Sequence, residues 1–156
     1  MKSKPEASDL RERALRLLAR REHSRFELAR KLELAGFEHH AIDALLDEFE
    51  RKNWLSDRRF AESWVADHRA RAGSIKLAYD LRQRGVSDAM IEAVLNVNRD
   101  NELERAREIW KKKFGSAPAD ANEKARQMRF LQSRGFASGT IRQAIGGGDR
   151  GEDDRQ

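Results

Sequence analysis

Two groups of basic side chains carry the one chemistry this sequence supports, the binding of anions. Arg58, Arg59, Arg69, Arg71, Lys76, Arg82 and Arg84 form the first, and Lys111, Lys112, Lys113, Arg126, Arg129, Arg134 and Arg142 the second. The planar guanidinium fork suits both phosphate and carboxylate. The competing reading is that single members decorate solvent faces or pair with nearby acids, as charge runs usually do. Arg59 is expected beside Phe60 in the first turn of a helix, with Glu62 or Asp57 as its partner. No residue set offers catalysis. There is no G-x-x-x-x-G-K-[ST] loop for nucleotide phosphates and no H-E-x-x-H pair. His39 and His40 are adjacent and point different ways on a helix, without a third ligand at suitable spacing. His23 falls at a helix end, where an imidazolium favours the dipole, and His68 continues an apolar stripe. Neither a catalytic residue, a metal site nor a cofactor is predicted.

The composition agrees with an anion binder. The chain has 156 residues, 38% of them charged, with a net charge of +5 and a pI near 9.8. A polyanion or an acidic protein surface is a fitting partner. Cysteine is absent, which removes disulfides and thiolate metal sites and fits a reducing, cytoplasmic setting. The N-terminal residues are polar, and no run approaches the roughly 18 apolar residues of a membrane span.

Amphipathic helices must position these cations. Leu10, Ala14, Leu17 and Leu18 make one stripe, and Ile42, Leu45, Leu46 and Phe49 another. Ser24-Arg-Phe-Glu27 is a capping box between them. Further on, Phe60, Ala61, Trp64, Val65 and His68 form a stripe, as do Leu77, Ala78 and Leu81, then Met90, Ile91, Val94 and Leu95. Leu103, Ala106, Ile109, Trp110 and Phe114 follow, then Met128 with Leu131, and last Ile141 with Ile145. Asp57, Ser74, Ser87, Asp120 and Ser138 are the expected N-caps. Trp64 and Trp110 lie on stripes and are expected to pack in cores, Trp54 at a junction. Tyr79 sits off its stripe as a partly exposed contact candidate.

The stripes recur. Leu32 to Gly36-Phe37, Leu81 to Gly85-Val86 and Leu131 to Gly135-Phe136 share one pattern, each followed by an isoleucine, Ile42, Ile91 and Ile141. The period is about 50 residues, the mark of a repeat architecture. Each glycine is read as a left-handed helix cap with no other role. The expected fold is all-α, three tandem three-helix repeats over residues 8–56, 57–99 and 100–146, with a disordered acidic tail at 147–156.

These residues resemble the RecX family, regulators of the RecA recombinase. The matching segments are Ser24-Arg-Phe-Glu-Leu-Ala-Arg-Lys-Leu32 through Phe37, Leu55 to Ala61, Gly73 through Ser87, and Arg129 to Phe136. Asp57-Arg58-Arg59-Phe60-Ala61 looks like the family's D-x-R-F-A signature. Where the family often has a second glycine with aromatic neighbours, this chain has Arg71-Ala-Gly73-Ser74. The resemblance implies an elongated, curved array and no enzymatic activity. It implies a monomer that binds the groove of the RecA filament, meets single- or double-stranded DNA there, and touches no membrane. Filament extension, ATP hydrolysis and strand exchange would be inhibited, in recombination, DNA repair and the SOS response. The basic residues above would line the surface facing RecA or DNA. The alternative is a free DNA-binding module with helix-turn-helix-like units, although no helix rich in Asn, Gln and Arg on one face stands out.

Overall fold

The computed structural model describes residues 7–97 and 101–146, and these form helices without strands. The helices are α1 (Ala7–Arg20), α2 (Arg25–Leu34), α3 (His39–Arg51), α4 (Asp57–His68), α5 (Ser74–Gln83), α6 (Asp88–Asn96), α7 (Glu102–Lys113), α8 (Ala121–Ser133) and α9 (Ser138–Gly146). The tail at 147–156 and the expected start near Asp100 lie outside the described residues.

The chain forms two compact units. One holds Met1–Trp64 and Leu81–Ile91, the other Val65–Asp80 and Glu92–Gln156. In the first, α1, α2 and α3 pack around Leu10, Ala14, Leu28, Leu32, Ile42, Leu46, Phe49 and Leu55, all buried. Leu17, Leu18 and Leu45, predicted on the same stripes, cover that core from its rim. In the second, α7, α8 and α9 pack around Ala106, Leu131, Phe136, Ile141 and Ala144, with Trp110, Met128 and Ile145 at the edge.

The caps show where local sequence decides and where packing does. Ser24 accepts from the Glu27 amide, and Glu27 reaches back to the Ser24 amide, so the capping box is present. Ser87 and Asp120 cap as expected. Three assignments shift. Ser56, not Asp57, accepts from the Arg59 amide, because Asp57 is already the first helical residue. Ser74 and Ser138 likewise open their helices instead of preceding them.

Asp57 and Ser74 do other work. Asp57 Oδ1 accepts from the Arg25 amide at 2.8 Å, so it caps α2, thirty-two residues back. In the second unit, Glu102 Oε1 accepts from the Ser74 amide at 2.9 Å. The Gly73 and Ile75 amides donate to the carbonyls of Arg134 and Gly135 at 2.8 and 3.0 Å. At the starts of α2 and α5, exposed amides that a helix leaves over are thus satisfied by residues far along the chain.

Gly36, Gly85 and Gly135 all adopt positive φ, at 97°, 80° and 90°. Gly36 is the simple cap predicted, with nothing within 4 Å of where a Cβ would stand. The other two exceed that role. A Cβ on Gly85 would lie 2.7 Å from Phe26 Cγ, and one on Gly135 would lie 2.5 Å from the Lys76 amide nitrogen.

Candidate polyanion-contacting surface

The predicted cations fall into two different environments. In the first unit they are engaged by acids or rings. Arg58 Nε donates to Glu62 at 2.9 Å, one helical turn on, and Arg82 Nε donates to Asp88 at 2.7 Å. Arg59, half-buried, donates to Glu22 at 3.0 Å, not to Glu62 or Asp57 as expected. Glu22 follows the C-terminus of α1, so packing selects it over nearer acids. The Arg84 guanidinium lies 3.8 Å from the centroid of the half-buried Trp64 ring.

The second unit is arranged otherwise. Arg71, Lys76, Lys111, Lys112, Arg129 and Arg142 are exposed. Arg69 is half-buried, and its carbonyl accepts from Arg105 Nε at 3.1 Å. Phe114 and Phe130 meet edge to face, with centroids 5.4 Å apart and planes at 90°. Lys113 Nζ stands 5.4 Å and the Arg134 guanidinium 5.1 Å from the Phe130 centroid. The Arg126 guanidinium is 5.6 Å from Phe114, and it approaches Glu123 at 3.5 Å. Lys113, Arg126 and Arg134 are therefore brought together on one pair of rings. Each ring quadrupole attracts its cation.

Some residues with a structural part give little sign in the sequence. Arg105 is 8% exposed on α7, at a position that reads as one more surface arginine. Burial lowers its pKa, and the nearby Glu102 carboxylate opposes that shift. Gln127, buried, accepts from the Trp110 indole at 2.8 Å. His23 is buried as well, and burial pushes its pKa down. At neutral pH this favours the uncharged imidazole over the imidazolium that a helix dipole would attract. Trp54 is 44% exposed and packs on Phe49, under Lys52. Tyr79 is exposed as predicted, together with Ile75 one turn before it.

Among the described residues, no group of three His, Cys, Asp or Glu could hold a metal ion. No described helix is long and apolar enough to cross a membrane.

Models of the first, second and third three-helix domains of RecX match residues 11–49, 56–95 and 100–145 in that order. The "Regulatory protein RecX" of Chromobacterium violaceum is 46% identical over 143 residues, covering 92% of this chain and 93% of that protein. The same-named protein of Leptothrix cholodnii is 43% identical over 143 residues, covering 92% and 90%. The crystal structure of RecX from Lactobacillus salivarius shares the fold, with a TM-score of 0.81 at 21% identity over 92% of this chain and 97% of that one. The family is one of regulatory proteins, not of enzymes. Three consecutive domain matches and identities above 40% over nine-tenths of the chain show that it belongs to the RecX family.

Proposed function

We propose that this chain is a negative modulator of RecA. It binds the groove of the RecA–DNA nucleoprotein filament and slows filament extension, ATP hydrolysis and strand exchange. The observation that carries this reading is the succession of three RecX domains with cationic side chains concentrated toward the last. A filament repeats its surface at fixed spacing. A chain of three similar units over residues 8–56, 57–99 and 100–146 offers repeated contacts, and each contact after the first is intramolecular. The chain acts by binding one filament state better than another, with no cofactor and no chemistry of its own. It works as a monomer in the cytoplasm, in recombination, DNA repair and the SOS response, and meets DNA within the filament.

The test is RecA ATPase on single-stranded DNA, titrated with the wild type and with Arg69→Glu/Arg71→Glu. The wild type lowers turnover as its ratio to RecA rises, and the double variant is weaker. A wild type that leaves turnover unchanged refutes the proposal. Tight, sequence-selective DNA binding without RecA would point instead to a free DNA-binding module.

A further inference from the structure

We infer that the third repeat is the part of this chain that meets nucleic-acid phosphates, through Lys113, Arg126 and Arg134 gathered on Phe114 and Phe130. The inference deepens the filament reading and rests on it for the setting in which DNA is met.

Charge is unevenly divided along the chain. Residues 7–55 hold ten basic and ten acidic side chains, and residues 56–97 hold seven and six. Residues 102–146 hold ten basic and five acidic. Pairing follows the same division. In the first repeat Arg25 reaches Asp47 at 2.7 Å and Glu50 at 3.2 Å, Arg21 reaches Glu27 at 3.1 Å, and Arg11 pairs with Glu48. In the third, Lys113 and Arg134 have no carboxylate partner among the described residues and rest on Phe130 instead. Arg126 alone has an acid close by, Glu123 at 3.5 Å, so the three cations keep a net positive charge, and like charges repel unless an anion joins them. The rings hold the cations in place without neutralising them.

The ligand class follows from the same geometry. Phe114 and Phe130 are half-buried, and their faces are occupied by cations, so they are poor platforms for stacking bases. Lys111 and Lys112, exposed in the last turn of α7, add two further point charges next to Lys113 in sequence. Point charges track a repeating phosphate backbone without demanding the fixed fork geometry of a carboxylate. Such contact fixes position and carries no sequence information.

The experiment is fluorescence anisotropy of a labelled thymidine oligonucleotide with the full chain, across a salt series and without RecA. Lys113→Gln/Arg126→Gln/Arg134→Gln should bind at least about tenfold more weakly at low salt. It should also flatten the log–log salt dependence by about 2, since each lost phosphate contact on a single strand removes about 0.7. Arg13→Gln/Arg16→Gln/Arg30→Gln, three exposed first-repeat cations, should leave the slope unchanged. Lys113→Arg/Arg126→Lys/Arg134→Lys should restore it. Lys111→Gln/Lys112→Gln touches neither ring and should flatten the slope even if the triple variant melts early. An unchanged slope in both glutamine variants of the third repeat overturns the inference. So does an equal loss in the first-repeat variant. Normal oligonucleotide binding with lost inhibition of RecA would assign these cations to an acidic protein face and also overturn it. A wild type that binds DNA through the cluster but leaves RecA ATPase untouched refutes the filament reading alone.

Discussion

The hydroxyl of Ser24 donates to the carbonyl of Arg84 at 2.6 Å, across sixty residues of chain. One is the N-cap of α2, the other belongs to the Arg-Gly pair that ends α5. In the second unit the Gly73 amide donates to the Arg134 carbonyl at 2.8 Å, at the start of α5 and the end of α8. A helix end with unpaired carbonyls thus meets a helix start with unpaired donors. An acid beside each contact takes the next amide, Asp57 for Arg25 and Glu102 for Ser74. The glycine after each arginine removes the Cβ that would hold the two ends apart.

The glycines should therefore differ in what alanine costs. At Gly36 an alanine would meet only the left-handed backbone penalty, so Gly36→Ala should destabilise by about 1–2 kcal/mol. At Gly135 the added methyl also meets the Lys76 backbone, which overpacking puts at about 1–3 kcal/mol more. Urea denaturation of the two variants measures the difference. Equal losses would show that the close approach contributes nothing.

Much of the fold was legible because it is written locally. The apolar stripes, the Ser24–Glu27 box and the left-handed glycines each depend on residues within one or two turns. What depends on a distant partner was not. Arg58 and Glu62 are four residues apart, and that kind of pair can be read, whereas Glu22 lies thirty-seven from Arg59. Gly73 has no side chain with which to cap α5, yet Arg134 and Glu102 complete that end. In the candidate site the residue types could be read. The gathering of three cations on Phe114 and Phe130 could not, because it needs α7 and α8 placed side by side.

Charge removal should separate the two groups of cations. Arg58→Gln/Arg82→Gln removes guanidiniums already held by Glu62 and Asp88, so RecA inhibition should stay within about twofold, as expected for exposed pairs of small net worth. A titration of RecA ATPase checks this. A loss comparable to that of the Arg69→Glu/Arg71→Glu variant would show that these pairs open to meet the filament.

Asp57 should tolerate loss of its charge but not of its oxygen. Burial raises its pKa, the Arg25 amide opposes the shift, and the Glu50 charge adds to it. A carboxyl whose folded pKa lies above its unfolded value contributes most below the unfolded value and loses that contribution as pH rises through the folded one. Asp57→Asn keeps an acceptor for the Arg25 amide and should be neutral or stabilising at pH 7. Asp57→Ala leaves that amide without its partner and should cost about 1–2 kcal/mol. Denaturation midpoints of both variants at neutral pH decide it, and a large loss in the asparagine variant would mean the charge itself is needed.

His23 should make the first unit sensitive to mild acid. Its Nδ1 donates to the Arg21 carbonyl at 3.1 Å, which leaves Nε2 to accept from Lys31 Nζ at 2.9 Å. Burial lowers the pKa first. The backbone bond to Arg21 opposes it, the charges of Arg21 and Lys31 add to the lowering, and Glu27 pulls the other way. Protonation would set an imidazolium against the Lys31 ammonium. The folded state therefore binds the proton more weakly than the unfolded chain. Stability is intact above the ordinary histidine range and falls as pH drops through it. Glu27, whose pKa burial raises but Arg21 and the Ser24 amide lower overall, and Glu48, whose pKa the Arg11 hydrogen bond lowers, add their own loss only at more acidic pH. Between pH 7.5 and 5.5 the wild type should lose more stability than His23→Gln. Parallel profiles over that interval would remove the buried imidazole as the cause.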